Sequence, residues 1–164
     1  MGKPDIEKIM AEIEGHGDLL LRFFVVFSRF EYALKKTNYW LFPGKVQPDW
    51  DRFGREFSFP VELADNSVLK AIEYFKEQPP KKQVYRNNGL DFDDIVFSAK
   101  DTDKEKLVKY VKTVRNNLFH GGKYPLIYQE DPSRNPKLIE ACVTLLLFFL
   151  EHNKSVCDEF VGLD

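Results

Sequence analysis

The sequence predicts an all-α fold, an up-and-down helical bundle with an irregular, aromatic-rich insertion at about residues 38–65. Two observations favour helices. Apolar residues recur at helical spacing over several long stretches, and capping residues or prolines bracket those stretches. A third observation defines the insertion, since residues 38–65 contain three prolines and two glycines. The chain has 164 residues, 43% of them hydrophobic, and no linker or repeat, which predicts one domain over residues 1–164.

The first third of the chain predicts two helices. A short amphipathic helix is expected at 4–14, and the glycines around His16 end it. Asp18 can cap a second helix over 18–36. That helix is apolar nearly all round between residues 19 and 30, so we expect it to be buried on several sides, in the bundle or against another subunit.

Aromatic residues crowd the insertion. Trp50, Phe53 and Phe57 fall at helical spacing, which predicts a short helix at about 49–57. The favoured interpretation of the whole group is a satellite core under a long loop, and the alternative is a stacking surface for unpaired bases. The group consists of Trp40, Phe42, Trp50, Phe53, Phe57 and Phe59.

Three helices are expected in the remainder of the chain. The first covers 66–77 and ends before two prolines. A capping box starts the second, at 102–119, and an asparagine followed by a proline starts the third, at 136–154. Residues 81–101 between the first two predict a polar loop with at most a short extended piece.

Composition excludes several classes of protein. The formal net charge of −2 means that a polyanion could bind only at a local patch. Cys142 and Cys157 are isolated, which favours reduced thiols in a cytoplasmic protein over a zinc site or a disulfide framework. The apolar runs at 19–27 and 144–150 are too short to cross a bilayer.

Other site signatures are weak or missing. The sequence has no glycine-rich nucleotide motif, so no cofactor is expected. The carboxylates of Asp91, Asp93 and Asp94 lack a full calcium-loop pattern and are expected in a solvated loop, so no metal site is predicted.

The predicted helix 102–119 separates its residues by face. The expected core stripe consists of Leu107, Val111, Val114 and Leu118. A second face carries Lys109, Lys112, Asn116 and His120. Arg115 flanks this second face, and glycines 121 and 122 end the helix beyond it. A basic ridge therefore leads down the helix to Asn116 and His120.

Arg115 and His120 suggest phosphodiester chemistry. Cleavage of RNA through the ribose 2′-hydroxyl needs proton transfer and positive charge on the phosphorane, which histidine and arginine supply without a metal. Asn116 could orient the phosphate or the histidine. The bland alternative is that Arg115 pairs with a carboxylate of a neighbouring helix and His120 is only a polar helix end.

The geometry of an ideal helix separates the two groups. Arg115 and His120 are five residues apart, which places them roughly 140° apart at about 100° per residue. Either the helix end distorts, or the two groups converge on something between them, or two chains bring their motifs together.

The segment RNNLFHGG, with Arg115, Asn116 and His120, resembles the R-x4–6-H motif of the HEPN superfamily. The segment FSRFEYALKK at 27–36 resembles the early HEPN helix that carries an acidic residue, which here is Glu31. The resemblance implies an all-α, metal-independent endoribonuclease that forms a homodimer with its two motifs facing each other. Glu31 is then expected near Arg115 or His120, on a helix 18–36 that lies beside helix 102–119.

RNA is the substrate that this resemblance implies, and Lys109, Lys112 and Lys123 are expected to bind it. A defence or toxin–antitoxin role, with a protein antitoxin as a further partner, fits the same family. The alternative function is a non-catalytic HEPN-like module that binds a nucleotide, RNA or a protein partner in the same groove.

Overall fold

The computed structural model describes residues 16–41, 46–58, 60–120 and 134–162, and these are mainly helical. Six α-helices lie in the described ranges: α1 (Gly17–Lys36), α2 (Trp50–Glu56), α3 (Asn66–Glu77), α4 (Asp103–Phe119), α5 (Arg134–Glu151) and α6 (Lys154–Val161). Four short strands accompany them: β1 (Trp40–Leu41), β2 (Gln47–Pro48), β3 (Lys82–Arg86) and β4 (Gly89–Asp93). The predicted mainly helical character is confirmed. The helix expected at 4–14 and Lys123 lie outside the described residues.

Local capping explains where the central helices begin. The side chain of Asp65 accepts a hydrogen bond from the backbone N–H of Val68 at the start of α3. Thr102 and Glu105 form the predicted capping box of α4. We had expected Asp18 to be the N-cap of α1, but the helix begins at Gly17 and its N-cap is His16. The carboxylate of Asp18 lies in the first turn, where a negative charge still interacts favourably with the helix dipole.

The core is centred on α5, which packs against α1 and α3, while α1 also packs against α6. Its largest fully buried side chains include Phe23, Phe30, Phe53, Phe75 and Phe149. The prediction that helix 18–36 lies beside helix 102–119 holds only where side chains of α1 contact the C-terminal end of α4. The chief partners of α1 are α5 and α6, and α4 packs against the short helix α2.

The aromatic residues of α2 belong to the main core rather than to a satellite cluster. Trp50, Phe53 and Phe57 are at most 4% exposed. The Trp50 ring stacks on Phe30 of α1 with 5.2 Å between centroids, and Phe53 meets Phe149 of α5 at 6.0 Å. The predicted helix at 49–57 is confirmed, and the idea that these three rings stack on unpaired bases is wrong, since no base could reach them.

Residues 82–93 form an antiparallel hairpin where we expected a polar loop with at most a short extended piece. Arg86 pairs with Gly89 at the turn and Lys82 pairs with Asp93 at the open end. Asn87 and Asn88 take positive φ angles of 52° and 59°, the left-handed conformation of a tight hairpin turn. Asparagine tolerates that conformation better than most residues, which is why the chain can reverse here.

The predicted last helix, 136–154, corresponds to α5, and a further helix, α6, which we did not predict, follows it. The helix α5 ends at Glu151, and Asn153 caps a separate helix α6 by accepting a hydrogen bond from the N–H of Val156. The break arises because an asparagine side chain satisfies the first N–H groups of a new helix. Gly162 ends α6 with a φ of 74°, a conformation that glycine adopts at little cost.

Both cysteines are free thiols, and burial raises the pKa of Cys142 well above its usual value.

Among the described helices, none is both long enough and apolar enough to cross a membrane. The same ranges hold no cluster of three or more histidine, cysteine, aspartate or glutamate side chains that could bind a metal ion. Arg86 instead forms ion pairs with Asp91 and Asp93, which explains two of the three clustered carboxylates structurally.

Candidate functional site

Arg115 lies near the C-terminal end of α4 with its side chain directed toward α1. One guanidinium nitrogen, Nη2, is 3.9 Å from Oε2 of Glu31, and Nη1 donates a 3.1 Å hydrogen bond to Oδ1 of Asn116. The guanidinium also lies over the rings of Phe27 and Phe119, at 5.6 and 5.4 Å from their centroids. Two aromatic rings, an amide and a carboxylate therefore fix the position of this charge.

Glu31 is held from its other side by Trp50. The indole Nε1–H donates a 3.1 Å hydrogen bond to Oε1 of Glu31, which leaves Oε2 facing Arg115. Trp50 itself is 4% exposed. Glu31 therefore lies near Arg115, as expected, although the two helices that carry them do not pack along each other.

Sequence reasoning placed Trp50 in the core but missed its link to the site. A buried indole N–H needs an acceptor, and that requirement is a usable signal. The sequence does not say which of the 26 acidic residues supplies it.

His120 is the C-cap of α4 and is exposed to solvent. Its backbone N–H donates to the carbonyl of Asn116 at 2.9 Å. Within the described residues, no hydrogen bond or ion pair engages the imidazole, and the side chain is exposed, so its two nitrogens are accessible to a ligand.

An open groove of about 510 Å³ runs past His120. Lys109, Lys112 and Asn116 of α4 line one side of it, as the spacing along that helix predicts. Lys82 and Gln83 of the hairpin line the other side. This groove, which we call the His120 groove, is of the size that small ligands occupy.

Arg115 does not line the His120 groove. The two groups of the motif therefore do not converge on one point within a single chain, in line with their separation on an ideal helix. Asn116 connects them, because its amide accepts from Arg115 and also lines the groove beside His120. The contact with Glu31 also matches the alternative of a purely structural role, in which Arg115 pairs with a carboxylate of a neighbouring helix.

The lysines of the groove already have partners. Nζ of Lys109 is 2.6 Å from a carboxylate oxygen of Asp101, and Nζ of Lys112 is 3.0 Å from one of Asp51. The hydrogen bond from Lys109, followed by one from the backbone of Ser98, lowers the pKa of Asp101. The basic ridge that we predicted is thus partly neutralised by acids from the neighbouring segments, which the spacing along one helix could not reveal.

Asn117 is a second residue that sequence reasoning missed. It is 4% exposed and its Nδ2 donates a 2.8 Å hydrogen bond to the backbone carbonyl of Lys81. This bond ties the base of the hairpin to α4 and thereby sets the width of the His120 groove. The predicted stripe had Leu118 in the core, but Leu118 is only partly buried and Asn117 takes the inward position.

Comparisons of the chain with protein-family models, with curated proteins and with solved structures found no match.

The candidate site offers a fixed guanidinium on Arg115, an exposed imidazole on His120 and the amide of Asn116 between them. Such groups can bind an anion such as a phosphate and can transfer protons at neutral pH.

Proposed function

We propose that the chain is a HEPN-type, metal-independent endoribonuclease that acts as a homodimer in the cytoplasm. One observation carries the proposal. Arg115 is positioned by Glu31 and Asn116 at the end of the helix whose C-cap is the exposed His120. The resemblance assigns Arg115, Asn116 and His120 to catalysis and Glu31 to a supporting role, and Glu31 comes from a segment 84 positions away from Arg115 in the chain.

The chemistry is an internal transesterification. The ribose 2′-oxygen forms a bond to phosphorus while the bond from phosphorus to the 5′-oxygen breaks. A base removes the proton of the 2′-hydroxyl, and an acid protonates the leaving 5′-oxygen, so the products are a 2′,3′-cyclic phosphate and a 5′-hydroxyl. His120 supplies proton transfer, and Arg115 stabilises the charge that builds on the phosphorane.

The setting of Arg115 suits it to phosphate binding. Its separation of 3.9 Å from Glu31 is longer than a direct hydrogen bond. Among the described residues, only Asn116 accepts a hydrogen bond from this guanidinium, which has five N–H donors in all. Most of the fork therefore remains available for phosphate oxygens, while Glu31 and the two rings restrict its orientation.

A dimer would bring two motifs together and resolve the separation of Arg115 and His120 within one chain. The surface beside Arg115 supports such an assembly. Leu21, Phe24 and Val25 of α1 are 62%, 48% and 43% exposed, and Phe119 of α4 is 47% exposed. The rings of Phe24 and Phe119 meet at 5.6 Å, so the two helices share one apolar patch of the kind that marks an interface.

RNA would reach the site along the His120 groove. Its phosphates would have to displace Asp101 from Lys109 and Asp51 from Lys112. The ion pair between Lys112 and Asp51 is partly exposed to solvent. Pairs of this kind contribute only about 0–1 kcal/mol, so a phosphate can replace Asp51 beside Lys112 at little cost in free energy. Lys123, which lies outside the described residues, keeps its proposed place among the RNA-binding cations.

The second candidate is a non-catalytic module of the same fold that binds a nucleotide, RNA or a protein partner such as an antitoxin. The internal neutralisation of the site favours it, because Lys109, Lys112 and Arg115 each face a carboxylate. Such a module would bind its ligand in the groove but leave the phosphodiester bond intact.

The ends of the RNA products test the proposal. Purified protein in excess chelator should convert a defined RNA into fragments with 2′,3′-cyclic phosphate and 5′-hydroxyl ends. An RNA with a single 2′-deoxy substitution at a mapped cleavage site should be cut everywhere except there. A strict requirement for magnesium, or fragments with 5′-phosphate ends, would contradict this chemistry; intact RNA that is nonetheless bound would support the second candidate.

A further inference from the structure

The β3–β4 hairpin presents one exposed, mainly apolar face. Because side chains alternate along a strand, the paired positions Gln83 with Phe92 and Tyr85 with Leu90 point to the same side. Tyr85 is 73% exposed and Leu90 is 68% exposed, and they lie directly opposite each other near the turn. Together with Phe92, which is 36% exposed, they form a contiguous exposed apolar patch, and such patches mark interaction sites.

This face is continuous with the His120 groove. Lys82 and Gln83, at the base of β3, line the groove together with His120. The hydrogen bond from Asn117 to the carbonyl of Lys81 fixes that base on α4. Tyr85 lies two residues beyond Gln83, about 7 Å further along the strand at about 3.3 Å per residue. A strand of nucleic acid that leaves the groove past Gln83, whose side chain lies on the same face as Tyr85, therefore meets the ring of Tyr85 next.

The charges of the hairpin are arranged so that the Tyr85 face is not acidic. The opposite face carries Asp91 and Asp93, and Arg86 forms ion pairs with both. Asp94, just after β4, lies 3.9 Å from Nζ of Lys81. The face around Tyr85 thus repels phosphates little but also attracts them little, so stacking rather than ion pairing would supply the affinity there.

We propose that the hairpin is a base-stacking subsite for single-stranded RNA, with Tyr85 as the stacking residue for a nucleotide outside the His120 groove. The inference rests on the proposed function and adds its substrate class. Single-stranded RNA exposes base faces that aromatic side chains bind without sequence preference, whereas the bases of a duplex are stacked on each other. Gln83 marks the junction, where the strand passes from the phosphate contacts of the groove to base stacking on the hairpin.

Binding of an uncleavable probe separates this subsite from catalysis. The probe is a fluorescent single-stranded RNA with 2′-O-methyl groups throughout, which removes the nucleophile. Tyr85→Ala should weaken binding by about tenfold, within the roughly 5- to 150-fold range of a single base–aromatic stack. Tyr85→Phe should bind as the native chain does. Leu90→Ala is the matched control, because Leu90 lies on the same face with similar exposure but has no aromatic ring, and it should change affinity less than about twofold.

Salt dependence provides a second readout. Tyr85→Ala should leave the slope of log affinity against log salt unchanged, whereas Lys82→Ala should flatten it, because only the lysine releases counterions. Equal binding by Tyr85→Ala and the native chain, or no binding of the probe at all, overturns the subsite. A loss shared equally by Tyr85→Ala, Tyr85→Phe and Leu90→Ala also overturns it, because binding would then depend on the intact hairpin and not on the aromatic ring. Tyr85-dependent binding without RNA cleavage would support the subsite and refute the nuclease.

Discussion

The hydrogen bond from Trp50 to Glu31 is the contact through which the α2 helix positions Arg115. Trp50→Phe removes the indole N–H but keeps an aromatic ring against Phe30. A hydrogen bond to a charged group contributes about 1.5–3 kcal/mol, and the 23% exposure of the Glu31 side chain lets water replace part of it. We therefore expect the bond itself to contribute about 1 kcal/mol. The smaller ring also leaves a cavity in a buried position, which adds about 1–2 kcal/mol of destabilisation.

A double-mutant cycle separates the two contributions. Urea unfolding followed by far-ultraviolet circular dichroism should be measured for the native chain, Trp50→Phe, Glu31→Ala and the double variant. The expected coupling free energy is about 1 kcal/mol, because only the bond requires both residues. Trp40→Phe is the matched control: Trp40 is the other tryptophan, is 42% exposed, and should cost less than about 0.5 kcal/mol. A coupling below about 0.3 kcal/mol would refute the reasoning, since it would mean that Trp50 does not hold Glu31.

Three further predictions concern the hairpin, the acid limb and assembly. Asn117→Ala should destabilise the protein by about 1–3 kcal/mol, because the carbonyl of Lys81 loses its buried donor, and amide exchange should accelerate in residues 82–93 first. The pKa of Asp101 is lowered in the folded protein, so the stability that this carboxylate contributes should be present above its unfolded pKa and be lost as pH falls through its folded pKa. Asp101→Asn should therefore weaken the decrease of the free energy of unfolding at acid pH. An unchanged decrease would contradict this. Light scattering at micromolar protein should give twice the 19.2 kDa chain mass, and Phe24→Asp should shift it to the monomer; a native monomer would contradict the proposed dimer.

Local signals were sufficient for the central helices. The bounds of α3 and the capping box of α4 follow from a few adjacent residues, because caps and helical periodicity act within one or two turns. The hairpin was missed because its strands mix charged and apolar residues and show no clear alternation. The hydrogen bond from Asn117 that fixes the hairpin base on α4 is a tertiary contact and leaves no local signal in the sequence. The helix α6 was missed because it has only eight residues and because its N-cap, Asn153, falls inside the predicted last helix, 136–154.

The candidate site could be predicted only in part. Arg115, Asn116 and His120 lie on the expected helix, and Glu31 lies beside Arg115 as the resemblance implies. The partners that determine the charge of the site come from distant segments and depend on tertiary packing. Asp51 is 61 residues from Lys112, and Trp50 is 19 residues from Glu31, so no periodicity relates them. The sequence thus identified the candidate residues but not the contacts that orient or neutralise them.

Cleavage by matched single and double variants tests the nuclease most directly. The native chain, His120→Ala, Arg115→Ala and the double variant should be purified in parallel and incubated in chelator with one labelled RNA. His152→Ala serves as the control, because His152 lies beside Phe148 at the end of α5 and does not line the His120 groove. The account predicts cleavage by the native chain and the control only, with the double variant about as inactive as either single variant, since residues of one catalytic unit do not add. Equal cleavage by His120→Ala and the native chain would contradict it.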